Sequence, residues 1–318
     1  MSISVLDQLK EHTTVVADTG DFDSIKQYSP RDATTNPSLI LKASQKEEYS
    51  SLVREVVDRA KLHGKTEVEQ VTDQLLVQFG LSILEVVPGR VSTEVDARLS
   101  FDYDRSLEKA RSIVSLYEEN GVSRERVLIK LATTWEGVEV SRTLEKEGIH
   151  TNMTLLFSLT QAVACAESGS QLISPFVGRI MDWHKKEYGR DFFGIEDPGV
   201  KSVIQIFNYY KKFGYPTEIM GASFRNTGEI KELVGCDLLT IGPKFLEEMQ
   251  NDFSSIEVKL NEEIAKDSNI QKMEMNESTF RFNLNEDAMA TEKLAEGIRK
   301  FSADMRSLEE LLKKLITS

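Results

Sequence analysis

Short apolar runs alternate along this chain with longer segments whose apolar residues recur at helical spacing. The runs predict strands at residues 13–18, 32–38, 90–97, 127–133, 150–157, 171–176, 217–222 and 236–241. The longer segments predict helices at 45–63, 67–84, 105–120, 135–146, 158–168, 200–213 and 227–234, with short helical pieces at 4–11 and 22–27. Gly121, Gly148, Gly169 and Gly235 each stand just past a helical segment, where a left-handed residue closes the last turn. Residues 178–199 carry no clear period and read as irregular. From 244 to 318 the pattern is helical again. Leu294, Ile298, Phe301, Met305, Leu308, Leu311 and Leu315 make one apolar stripe that needs a surface to cover it, either the rest of the chain or a neighbour.

Eight strands, each followed by helix, point to a closed parallel barrel more than to an open sheet. No glycine-rich dinucleotide fingerprint follows the first strand, as an open doubly wound sheet would have it. The expected fold is α/β, a single (β/α)8 barrel of the TIM type spanning 1–318, with extra N- and C-terminal helices and a helical extension over 244–318. No repeat or low-complexity linker divides it.

Lys130 breaks the most apolar of these strands, Val-Leu-Ile-Lys-Leu-Ala-Thr. A buried lysine requires a partner, and desolvation favours its neutral amine, which attacks carbonyl carbon to form a Schiff base. A purely structural ion pair is the alternative. In a parallel barrel alternate residues point inward, and function collects at the C-terminal strand ends. Parity then groups Ser92, Glu94 and Asp96 on the third strand, Thr34 with Asn36, Asn152 with Thr154, Ser174 with Phe176, and Gly221 with Ser223 and Arg225, while the first strand ends at Asp18. Either Glu94 or Asp96 is the candidate partner of Lys130. Asn36 and Asp18 also fit as caps of their turns, and Arg179 and Arg225, just past strand ends, fit a phosphate or ordinary surface ion pairs.

A net charge of −13 argues against nucleic acid as a partner, since that binding needs basic surface. Two distant cysteines and four scattered histidines offer neither a disulfide framework nor metal-ligand spacing. No apolar segment has the length of a membrane span, and the start, MSISVLDQLKEH, has no signal-like apolar core. A cytoplasmic protein without membrane partner, metal or cofactor is expected.

The strings TTVVADTGD, DATTNPSLI, PGRVSTEVDARLS, LIKLATTWEG, TLLFS, ISPFVGRI, EDPG, MGASFRN and LAEGIRKF resemble the class I transaldolases of the pentose phosphate pathway, from about residue 13 to the C-terminal helix. The resemblance implies a cofactor-free (β/α)8 barrel in which Lys130 forms the Schiff base. It further implies Asp18 as general acid/base, and Glu94 with Thr154 in carbinolamine dehydration through an ordered water. Asn36, Asn152 and Ser174 match positions that hold the lysine and the dihydroxyacetone hydroxyls, and Arg179, Ser223 and Arg225 match a phosphate clamp. Sugar phosphates as substrates and a homodimer are implied in the same way. Related fructose 6-phosphate aldolases, which release dihydroxyacetone, carry a tyrosine near the position of Phe176, so the phenylalanine leans toward transfer. A silent sugar-phosphate-binding barrel is the remaining alternative, disfavoured by intact Lys130, Asp18 and Glu94. Residues 261–283 match the family pattern less closely.

Overall fold

A computed structural model of the chain describes residues 3–318. Eight strands close into a barrel in sequence order: β1 (Thr14–Asp18), β2 (Asp32–Thr34), β3 (Val91–Glu94), β4 (Val127–Ala132), β5 (Thr151–Leu156), β6 (Leu172–Pro175), β7 (Glu218–Gly221) and β8 (Leu238–Ile241). All neighbours are parallel, including β8 back to β1. The four glycines expected to close helices all have positive φ.

Val16, Leu128, Leu172, Met220 and Leu238, from five strands, touch one another as a buried cluster separate from the rest of the core. Side chains from β1, β4, β6, β7 and β8 meet only inside the barrel, so this cluster is its floor. Each such side chain gains about 1.5–3 kcal/mol on burial. Two residues further along, the same parity carries Asp18, Lys130, Ser174, Ala222 and Thr240. A polar layer therefore lies directly on an apolar one, at the end of the barrel where the strands finish.

The helix Ala288–Thr317 spans about 45 Å at 1.5 Å per residue. Its first half lies over the C-terminal mouth: Met289, Leu294, Ile298 and Phe301 pack with Leu155, Phe157, Phe176 and Ala222. Its second half leaves the mouth, and Met305, Leu308 and Leu312 join Ile40, Val56, Leu75 and Phe79 on the outer helices. The approach is close because position 297 is glycine, where a Cβ would fall 2.6 Å from a methyl of Leu155. Leu155 itself has φ +52 beside a register break in β5, a bulge that re-aims the side chain toward that helix.

Four segments depart from the pattern-based reading. Residues 178–199 are not irregular throughout, since Gly178–Tyr188 is a helix. Only Gly178 and Ile180 of it are buried, so its apolar stripe is too thin to register in sequence. The second strand stops at Thr34, and the helix Pro37–Ser44 begins immediately after Asn36, whose side chain accepts from Leu39 N at 3.0 Å. Asparagine before proline is a helix start as well as an extended pair. β3 ends at Glu94, because Asp96 caps the short 3-10 turn Ala97–Leu99 and pairs with Arg98. The tail is helical only at Pro243–Gln250, Glu262–Lys266, Glu277–Glu286 and Ala288–Thr317, with irregular chain between.

Candidate active site

Lys130 is 4% exposed in the middle of β4. Barrel register places Glu94 on one side of it and Asn152 on the other. Its Nζ donates to the Thr35 carbonyl at 3.2 Å and stands 3.5 Å from Glu94 Oε2. Of the two carboxyls considered as its partner, the structure selects Glu94.

Burial pushes the Glu94 carboxyl up to about 7, against the pull of the Lys130 ammonium and, more weakly, of Arg179. Burial likewise raises Asp18, which Lys130 and a hydrogen bond from Thr34 partly offset. Thr34 Oγ1 donates to Asp18 Oδ1 at 3.1 Å and lies 2.9 Å from Thr240 Oγ1. Two carboxyls raised above their usual range beside one amine, Glu94 to about 7, are suited to moving protons. Among the described residues no hydrogen-bond donor satisfies Glu94 Oε2 and nothing partners Thr154 Oγ1, although both atoms are buried. Orphaned polar atoms cost stability, and together they leave hydrogen-bonding capacity for a water or substrate hydroxyl.

Asn152 is held at both ends of its amide, donating to Ser92 Oγ at 3.0 Å and accepting from Ser174 Oγ at 2.6 Å. This brace fixes the residue next to Lys130. Asp18, Asn36, Lys130, Ser174, Phe176, Arg179 and Ser223 line one cavity of about 60 Å³, together with Thr34, Met220, Ala222, Thr240 and Phe301. Asn36 caps a helix with its side-chain oxygen and also lines the cavity. Glu94, Thr154 and Asn152 are buried and do not line the cavity. A wider groove of about 340 Å³ lies beyond Asp18, between Lys42, Lys46 and Lys244, and shares only Asp18 with the candidate set.

Arg179 stands between two rings, its guanidinium 4.7 Å from the Phe176 centroid and 5.6 Å from that of Phe301. Desolvation first, and the neighbouring Arg225 charge second, hold its pKa below the usual value. Such a cation favours an arriving anion. Ser223 does not reach the cavity by strand parity, contrary to the grouping of Gly221, Ser223 and Arg225. The inward residues here are Met220 in β7 and Ala222 just past its end. Ser223 arrives because the backbone turns over, with φ +63 in a non-glycine residue. Arg225 is not gathered in: its guanidinium binds Asp182 at 2.8 and 3.0 Å and touches Ser223 Oγ at 3.3 Å. Gly178 lets the two loops meet, since a Cβ there would fall 2.5 Å from both Arg225 Cγ and the Ser223 carbonyl.

Thr240 and Phe301 were not singled out from sequence. Thr240 carries the signal that exposed Lys130, a polar residue inside an apolar strand; Phe301 had only its place in a helical stripe.

The fold and site define a parallel (β/α)8 barrel with a buried lysine set among titratable carboxyls at its C-terminal end. Over residues 15–312 the chain matches the family model described as "Transaldolase/Fructose-6-phosphate aldolase". The chain belongs to that family, which places it among enzymes of the aldolase/transaldolase type. Two solved structures of mandelate oxidase variants are also similar. One, with a monooxide FMN adduct, is 13% identical at a TM-score of 0.34, covering 56% of this chain and 55% of that one. The other, with 4-Br-2-hydroxy-methylphenylacetate, is 14% identical at 0.35, covering 56% of each chain. The chain thus spans just over half the length of these structures, and a likeness so low carries no argument here. No helix of the described residues is long and apolar enough to cross a membrane, and no group of three or more His, Cys, Asp or Glu among them is arranged to hold a metal ion.

Proposed function

We propose that this protein is a transaldolase that moves a dihydroxyacetone unit from sedoheptulose 7-phosphate or fructose 6-phosphate to glyceraldehyde 3-phosphate or erythrose 4-phosphate. The observation that carries this reading is the position of Lys130 Nζ, buried 3.5 Å from Glu94 and lining one cavity with Asp18 and Arg179.

Lys130 attacks the ketose C2, and the carbinolamine loses water to give an iminium. Glu94 shuttles the protons of that dehydration, with Thr154 helping to hold the water. Asp18 takes the proton of the C4 hydroxyl, the C3–C4 bond breaks, and its electron pair moves into the C2–C3 bond as an enamine while the aldose leaves. A second aldose phosphate enters and the steps reverse, giving ping-pong kinetics. Asn36, Asn152 and Ser174 orient the three-carbon unit. Arg179, Ser223 and Arg225 clamp the phosphate, Arg225 by exchanging Asp182 for it.

Aldolase-type release of free dihydroxyacetone is the second reading. Phe176, packed edge-on against Phe157 at 5.4 Å and under Arg179, favours transfer because it offers no hydroxyl to deliver water to the enamine. Residues 1–318 are taken as one barrel domain with its extension over 244–318, supported by the packing of Phe301 and Leu308 on the barrel. A cytoplasmic homodimer belongs to the same proposal. Borohydride reduction in the presence of fructose 6-phosphate, followed by peptide mapping, tests the central step. A dihydroxyacetone adduct confined to Lys130 is expected; none, or one on another lysine, sinks the reading.

A further inference from the structure

Behind the phosphate clamp lies a second pair of buried carboxyls that the reaction does not use. Asp197 is 1% exposed and Glu229 2%. Asp197 Oδ1 caps the helix Pro198–Phe213, accepting from Gly199 N at 2.7 Å and Val200 N at 3.2 Å. Glu229 Oε2 accepts from Arg225 N at 2.7 Å. The remaining oxygens, Asp197 Oδ2 and Glu229 Oε1, are buried and reached by no donor among the described residues. Each nevertheless bears on the other's protonation, so the two carboxyls are close neighbours. Two carboxylates cannot satisfy one another, whereas an acid and a carboxylate can.

We propose that Asp197 and Glu229 share one proton and that this proton positions the phosphate clamp. The inference rests on the function proposed above. Each carboxyl holds one clamp loop. Glu229 grips the backbone of Arg225. Asp197 fixes the helix whose Gly199 abuts the Val177 carbonyl, where a Cβ would fall 2.1 Å away, and Val177 leads directly into Gly178 and Arg179. Loss of the proton puts two like charges near one another in a dry site and parts the loops at their Gly178 contact.

The charged groups that bear on the pair are His184, from the helix Gly178–Tyr188, and the Arg225 guanidinium. Burial, with the facing Asp197 also raising it, pushes Glu229 up to about 7, and burial raises Asp197 as well. Proton loss from Glu229 therefore falls near neutrality, where a sugar phosphate is already largely dianionic.

The test is borohydride trapping on the full chain with two ligands, fructose 6-phosphate and dihydroxyacetone, from pH 7 to 9. The readout is the ratio of their half-saturating concentrations, since only the first needs the clamp. In the native chain the ratio should rise with pH, by at most about tenfold per unit for one linked proton. Glu229→Gln and Asp197→Asn each supply a donor that does not titrate, while keeping the bonds to Arg225 N and to Gly199 and Val200 N. Either variant should flatten the rise, and the two together guard against one failing to fold. A flat ratio in the native chain, or the same rise in a folded variant, overturns the pair while Lys130 adducts persist. Absence of a Lys130 adduct with both ligands overturns the proposed function, and this inference with it.

Discussion

At the N-terminal end of the barrel, Asp32 is buried against Arg90, accepting from its backbone N at 2.9 Å, Nε at 3.1 Å and Nη2 at 2.9 Å. Glu218 takes the same arginine's Nη1 at 2.7 Å and Gln171 Nε2 at 3.1 Å. At the C-terminal end, past the apolar floor, Glu94 and Thr154 keep buried oxygens without hydrogen bonds, and the strand that brings Ser223 to the cavity turns through a strained residue. Both ends bury charge inside one barrel, but one completes its hydrogen bonds and the other withholds them. A completed network orders the backbone and has nothing left to offer a ligand. An incomplete one costs folding energy and is ready to bind or exchange protons.

Substitutions should therefore separate rate from stability according to the end they touch. The largest effect expected is from Lys130→Met, which removes the nucleophile and should cut turnover by on the order of 10⁴-fold or more, with no adduct by mass spectrometry. Asp18→Ala should keep the Schiff base and slow C–C cleavage by about 10²–10⁴-fold. Equal loss of trapping and cleavage would break its assignment. At the other end, Asp32→Ala leaves Arg90 half-buried without its main partner and should cost about 3–5 kcal/mol in denaturant titration, with turnover of the folded fraction nearly intact. Arg179→Ala should raise KM for phosphorylated acceptors by about 10- to 100-fold and leave glyceraldehyde little affected. If both acceptors suffer alike, the clamp is misassigned.

The smallest effect is the pH response of stability. Glu94 binds its proton more tightly folded, at about 7, than in the unfolded chain, where its ordinary value is 4.5. The stabilising contribution is thus complete below 4.5 and is lost as pH rises through about 7. Glu94→Gln should remove its share of that slope in denaturant titrations between pH 4.5 and 7.5, and should not destabilise as Asp32→Ala does. A slope unchanged by the variant would show that Glu94 is not the titrating group.

Periodicity alone carried the eight strands and most helices, because parallel strands buried on both faces are nearly all apolar and amphipathic helices repeat. The same regularity made Lys130 conspicuous, and parity brought Glu94, Asn152, Thr154 and Ser174 into view. It failed where chain geometry leaves the regular pattern. Ser223 enters through a positive φ, Leu155 through a bulge, and the helix Gly178–Tyr188 buries too few residues to show a period. Arg225 was legible as a candidate, but its pairing with Asp182 depends on a helix the pattern did not reveal.

What the sequence by itself determined is the repeating strand-helix architecture, the lysine and the order of polar residues along each strand, all of which follow from local period and solvation. Only the tertiary structure decided that Glu94 and not Asp96 meets the lysine, that Phe301 comes over the mouth to face Arg179, and that Asp197 and Glu229 are both buried. These contacts join residues far apart in the chain, and no local period encodes how a closed barrel brings such residues together.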